Sequence, residues 1–179
     1  MAFSAREIQD EDLLLIAGWR TDPDITKWMD TDPVLTLEDQ RAWLTKTSRD
    51  EASRHWLLEV DGVPAGVLQL FDIDFDEGIA EWGYYIGAKE LRSMAFAVGI
   101  EMSLYRYCFE VLGLRRVANS VHSDNMGTIR LHQLCGNTIV RIREHAVEKN
   151  GSWFDIVDME IDEARWRDIA GRTYERIEL

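Results

Sequence analysis

The sequence predicts a mixed α/β (α+β) fold, with a single sheet of about seven strands carrying helices on both faces. Three observations lead there. Strand-type and helix-type stretches follow one another in the order β-α-α-β-β-β-α-β-α-β-β. Two turns, Asp61-Gly62 and Asn150-Gly151, are dipeptides that favour tight hairpins between neighbouring strands. The stretch from Ile79 to Val111 reads as strand, small-residue turn and amphipathic helix in direct succession.

The elements follow from local chemistry. Ala5 to Ile8 starts a strand, and Asp10 caps a helix over Glu11 to Trp19 with Leu13, Ile16 and Ala17 inward. Thr21 to Pro33 holds two Asp-Pro pairs, which disfavour helix, and reads as a loop with one helical turn at Ile25 to Met29. Thr36, with Asp39 three residues on, has the form of a capping box and opens a helix to about Thr47. His55–Val60 and Ala65–Phe71 pair through Asp61-Gly62, and an acidic turn, Asp72 to Gly78, leads to the strand Ile79–Ile86. Phe96, Ile100, Leu104, Tyr107 and Val111 then recur at helical spacing, and Gly113 ends that helix. Arg116–Val121 is a strand, and Asn125–Leu134 a helix closed by Gly136. Ile139–Val147 and Trp153–Ile161 form a hairpin, and Asp162–Ala170 is a terminal helix. No repeat or linker interrupts this order, so residues 1–179 are expected to form one domain.

Bulk composition excludes some classes. A net charge of −13 leaves no basic excess for nucleic acid or an anionic membrane surface. The opening residues are acidic where a signal peptide is basic, and no apolar run reaches spanning length, so a cytoplasmic location is expected. Cys108 and Cys135 read as buried hydrophobes in a reducing compartment. No His or Cys pair has zinc-site spacing, and no metal is expected. The turn Arg92 to Ala97 leads from strand into helix, an arrangement that aims free backbone N–H groups at a phosphate.

Two motifs carry a family resemblance. Arg92-Ser93-Met94-Ala95-Phe96-Ala97 resembles the Gln/Arg-x-x-Gly-x-Gly/Ala loop of the GNAT superfamily of acyl-CoA-dependent N-acyltransferases, with Ala95 where Gly is usual. Asn125, Thr128, Leu131, His132, Gly136 and Asn137 resemble its signature Asn-x-x-Ser-x-x-Leu-Tyr-x-x-x-Gly-Phe, with Thr for Ser, His for Tyr and Asn for Phe. The resemblance implies a GNAT-like, mostly antiparallel sheet with a splayed central strand pair. Acetyl-CoA, the co-substrate, would lie in a V-shaped gap between Ile79–Ile86 and Arg116–Val121. Its contacts would be the backbone of Tyr85 and Ile86, the loop residues Arg92, Ser93, Met94, Ala95, Phe96 and Ala97, and Asn125 and Thr128. The segments GWRTDP (Gly18–Pro23), KWM (Lys27–Met29) and LTLEDQRAWL (Leu35–Leu44) look like the branch of the superfamily that acetylates nucleotide-linked amino sugars, including the enzyme of the pseudaminic acid route. Ribosomal-protein N-terminal acetyltransferases share the beginning of this pattern.

Acyl transfer from a thioester to an amine needs a base for the amine and an acid for the leaving thiolate. Glu81 shares a strand face with Gly83 and Tyr85 and is the first candidate base, with His122 competing for that role. His132 stands where the family's acid, usually Tyr, is found; the alternative is a packing histidine. Arg20 would meet a diphosphate, with Trp28 and Met29 as an apolar face, unless Trp28 is a core anchor. The resulting expectation is an N-acetyltransferase acting by direct transfer. Its favoured acceptor is a nucleotide-linked amino sugar, the alternatives being a protein N-terminus or a polyamine-type small amine. A non-catalytic acyl-CoA-binding domain is the rival class, motivated by Ala95, His132 and Asn137. The expected partner is a small-molecule amine, and a homodimer is left open.

Overall fold

A computed structural model describes residues 1–179. Its elements are β1 (Phe3–Glu7), α1 (Leu13–Arg20), α2 (Pro23–Thr26), α3 (Leu37–Thr47), β2 (Arg54–Val60), β3 (Val63–Asp74), β4 (Ile79–Ile86), α4 (Met94–Arg106), β5 (Arg116–His122), α5 (Met126–Leu134), β6 (Thr138–Lys149), β7 (Ser152–Asp162) and α6 (Glu163–Ile169). The strands form one seven-stranded sheet in the order β1-β2-β3-β4-β5-β7-β6. Every neighbouring pair is antiparallel except β4 with β5.

Local signals account for most boundaries. Thr36 caps α3, and Thr36 and Asp39 form the reciprocal capping box. At the two hairpins, Asp61, Gly62, Asn150 and Gly151 all adopt positive φ, which these residue types tolerate and a tight hairpin of this hand needs. Three expectations shift. The first helix starts at Leu13, after a tight turn over Asp10–Asp12, and Asp10 serves Arg41 of α3 instead of capping. The helical turn in the Thr21–Pro33 loop lies at Pro23–Thr26, capped by Asp22, because Pro fits a first helical position. The long helix leaves α geometry after Arg106. There Leu112 N–H reaches the Tyr107 carbonyl at 3.0 Å, five residues back, as one widened π turn.

The sheet separates two cores. On one face β2, β3 and β4 contribute Leu58, Leu68, Leu70 and Trp82 to a core with Phe96, Ile100, Leu104 and Cys108 of α4 and its π turn, and Trp166 of α6. On the other, Leu13, Ile16 and Trp19 of α1 pack with Ile25, Leu57, Val67 and Tyr85. Trp19 also lies against Gly87: a Cβ there would come 2.1 Å from the indole. The glycine after β4 therefore seats α1 against the strand end.

The C-terminal residues close the α4 face. Ile177 is fully buried, and its N–H donates to Ser103 Oγ at 2.9 Å. Gly99 of α4 lies beneath this segment, where an added Cβ would stand 2.6 Å from the Glu175 carbonyl oxygen. Alanine is the better helix former by roughly 1 kcal/mol, whereas overpacking against backbone costs about 1–3 kcal/mol. Gly99→Ala is therefore expected to lower stability by about 1 kcal/mol despite its propensity. Urea denaturation of both proteins measures the difference, and a stabilised variant would mean that the tail is not held against α4.

Candidate active site

The parting of β4 and β5 makes the site. These parallel strands pair only over Ile79–Glu81 with Arg116–Ala118, while β5 stays paired with β7 along its full length. Gly78 O accepts from Arg116 N–H at 3.1 Å, which fixes the phase of the ladder. Strand backbones alternate in direction, so Ala80, Trp82, Tyr84 and Ile86 turn their N–H and C=O groups toward β5. Beyond Trp82 that side faces open space. The Tyr85 carbonyl points toward β3, where it would stand 2.2 Å from a Cβ on Gly66. The strand edge turned to the gap thus belongs to Tyr84 and Ile86, and the expectation for Tyr85 backbone shifts to its neighbour. Tyr85 reaches the cleft with its side chain instead.

The gap opens into a cleft of about 600 Å³ lined by β4, by β5 from Asn119 to Val121, by the starts of α4 and α5, and by the loop carrying Lys27, Trp28 and Met29. At its foot Trp82 Nε1 and Asn119 Oδ1 are buried without partners.

The start of α4 refines the phosphate expectation. Ser93 is the N-cap, and its Oγ accepts from Phe96 N–H at 3.2 Å. Ala97 N–H is bonded to Ser93 O, and the Phe96 ring is fully buried in the core. The free donors of the first turn are therefore at Met94 and Ala95. Arg92 Nε donates to Ile86 O at 3.0 Å and so ties the loop to the strand end. Across the cleft, Asn125 caps α5, its Oδ1 accepting from Thr128 N–H at 3.4 Å, and both side chains line the cavity.

His132 of α5 lies at the closed end, 4% exposed, with its ring edge-on to Trp82 at 5.1 Å. Its Nδ1 is 2.9 Å from Oε1 of Glu101, a fully buried carboxylate on α4. Tyr84 and Tyr105 donate their hydroxyls to the same carboxylate at 3.3 and 3.1 Å. Burial, and then the Glu101 charge, push both phenols well above their ordinary range, so they remain donors. Asn137, where the family signature has Phe, donates to Tyr105 Oη and to the His132 carbonyl. Glu101, Tyr105 and the role of Asn137 were not identified from sequence. The available signal was a single carboxylate inside the apolar run of α4.

The other candidates fall on the opposite face of β4. Glu81 is exposed and lies outside the cleft lining, near Arg143, which is bidentate on Asp158. His122 is buried, with its Nε2 3.0 Å from Asp30 Oδ1, and so ties β5 to the Thr21–Pro33 loop. Arg20 is half-buried; its guanidinium donates to the Met29 thioether and does not line the cleft. Trp28 is 41% exposed and lines the cleft with Met29, so it is not a core anchor. Lys149 of β6 straps this loop down: it bonds the Thr26 and Met29 carbonyls and Asp32, whose carboxyl it pulls down to about 2, helped by Asn150 and Thr26.

The comparisons with known proteins agree with this geometry. Residues 4–138 match the model of the acetyltransferase (GNAT) domain. The chain belongs to the GNAT acetyltransferase family. It is 29% identical over 133 residues to the SPbeta prophage-derived uncharacterized N-acetyltransferase YokL of Bacillus subtilis, covering 73% of each chain. It is 26% identical over 127 residues to acetyltransferase PseH of Campylobacter jejuni (serotype O:23/36), covering 71% of this chain and 77% of that one. The fold is also that of the spermidine N-acetyltransferase of Vibrio cholerae solved with CoA and spermine. The TM-score is 0.86 at 21% identity, over 92% of this chain and 98% of that one. This GNAT chain is an N-acetyltransferase whose acyl donor is acetyl-CoA.

Gly83 supplies a test of the acceptor path. It lines the cleft, it shares the Glu81 and Tyr85 face, and an added Cβ would meet nothing within 4 Å. Gly83→Val should therefore keep or raise Tm, since Val suits a strand, while lowering turnover with every amine by about 10²-fold through displacement of the reacting atoms. Thermal melts paired with initial rates check this; undiminished rates would place the acceptor path elsewhere.

Proposed function

We propose that this GNAT enzyme acetylates an amino group on a nucleotide-linked sugar, by direct transfer from acetyl-CoA lying along the open edge of β4. One observation carries the acceptor choice: Trp28 and Met29 share a single cleft with the β4 edge and the start of α4. A flat ring resting on the indole would thus have its amine carried toward Gly83. The likeness of Gly18–Pro23 and Lys27–Met29 to the nucleotide-sugar branch supports the same choice, as does the sequence similarity to PseH. Lys27 lines the cleft and offers an ammonium to a diphosphate more directly than Arg20 does.

In this reading Tyr84 and Ile86 pair with the amide-bearing arm of the donor, as an added strand pairs with a sheet edge. The free N–H groups at Met94 and Ala95, with the α4 dipole, hold its pyrophosphate beside Arg92, Ser93 and Ala97. Asn125 and Thr128 form the opposite wall. Glu81 takes the ammonium proton through solvent, and His132 protonates the departing thiolate. Neither cysteine serves as a nucleophile: both are buried, and burial pushes both thiols far up. The two free thiols also support a reducing, cytoplasmic setting.

A second reading, a polyamine acceptor, is favoured by the acids Asp30, Glu81 and Asp158 gathered around Arg143. The kcat/KM values for a UDP-linked amino sugar, spermidine and a peptide N-terminus decide between them. The proposal expects the amino sugar to lead by at least about ten-fold, the worth of one good charge-assisted contact set. Spermidine in the lead would overturn it.

A further inference from the structure

We infer that Glu101 is the positioning residue of the transfer reaction, holding the His132 imidazole so that Nε2 is the nitrogen presented to the thioester sulfur. The inference rests on the reading of His132 as the acid. A buried carboxylate is an expensive group in an apolar helix, and an ion pair there contributes little net stability. Glu101 is nevertheless fully buried, between Ile100 and Met102, with Tyr84 Oη, Tyr105 Oη, His132 Nδ1 and the Cys135 thiol gathered on it. As a carboxylate it accepts only, and against it Nδ1 carries a hydrogen. Nε2 makes no hydrogen bond within the protein, and His132 is part of the cleft wall. The nitrogen free to act is therefore Nε2, and the carboxylate stabilises the imidazolium from behind.

The groups facing His132 are few. Glu101 of α4 and the Trp82 ring of β4 face it directly, and around Glu101 stand Tyr105 of α4, Tyr84 of β4 and Cys135 at the end of α5. Glu101 is the charged one among them when the tyrosines and Cys135 stay protonated, as burial ensures. During transfer the amine lone pair forms the C–N bond to the thioester carbon. The C–S bond breaks with its electron pair on sulfur, and the Nε2 proton passes to that sulfur. The proton shed by the amine nitrogen returns through solvent to Nε2. Amide and thiol leave, and the imidazolium is restored. Tyr in the family's usual position needs no such support, since it is a donor in its neutral form; a histidine there does.

Three proteins test this: wild type, His132→Ala and Glu101→Gln, each measured for KM and for the acetyl-transfer rate against pH in single turnovers. His132→Ala should lower the transfer rate about 10²-fold and remove one limb of the profile. Glu101→Gln keeps the shape but removes the charge. It should lower the rate by about ten-fold or more, leave KM for acetyl-CoA unchanged, and move that same limb to lower pH. An unaltered His132→Ala profile would defeat the acid reading itself. A His132→Ala loss beside an unshifted Glu101→Gln profile would defeat only the role of Glu101. Nitrogen NMR of the wild-type imidazole covers the case in which Glu101→Gln fails to fold. On raising the pH, the proton lost from His132 should come from Nε2, and loss from Nδ1 would overturn the inference.

Discussion

The three residue pairs that join β4 to β5 are the constraint on which the site depends. They are enough to hold a parallel pair in register at the closed end of the sheet. Past them the strands are claimed by different neighbours. β4 follows β3, and β5 follows β7 over its whole length, so the right-handed twist of the two half-sheets drives the strands apart. A strand edge inside a sheet is normally a liability, because its donors and acceptors are left for any other chain to use. Here the edge is confined to a few residues, and the starts of α4 and α5 and the Thr21–Pro33 loop stand around it. What would be an aggregation hazard on a rim is here enclosed within a cleft.

The same parting explains why polar groups are tolerated so deep in the domain. Glu101, Tyr84, Tyr105, Asn119, Asn137 and His132 form a nearly continuous hydrogen-bonded set at the closed end of the slot. A connected network of this kind fixes rotamers as packing alone does not. Its orphaned atoms, Trp82 Nε1 and Asn119 Oδ1, belong to the two strands that part. The network thus joins β4, α4 and β5 with the end of α5, and a change at any member is felt at His132. The loop side of the cleft is held differently. The Lys149 strap and the Asp30–His122 contact fix the loop bearing Trp28 and Met29 from outside the cleft.

Much of this was legible in the sequence where the determinant is local. The box at Thr36 and the Asn150-Gly151 turn lie within a few residues of the groups they serve. The sequence predicts β3 over Ala65–Phe71, but it runs from Val63 to Asp74, because pairing with β2 and β4 carries it through Pro64 and past a bulge at Asp72 that alternation does not reveal. In the site, the Arg92–Ala97 loop and His132 stand out by motif. Glu101 does not, since its partners Tyr84 and His132 lie 17 and 31 residues away and only the fold assembles them. Arg20 shows the reverse case. Its place in the sequence suggested a ligand contact, yet the turn after α1 directs it onto Met29. Tyr85 was one residue out of phase, because the direction of a backbone amide is set by the ladder and not by the side chain.

The central claim is that the N–H groups of Tyr84 and Ile86 on the β4 edge are unpaired in the free enzyme and become paired by acetyl-CoA. Amide hydrogen exchange reads this residue by residue. In the free protein these two N–H groups should exchange much faster than that of Leu68 in the neighbouring strand, and acetyl-CoA should slow them at least about ten-fold. Amides of Tyr84 and Ile86 that are already slow, or that acetyl-CoA leaves unchanged, would contradict the account.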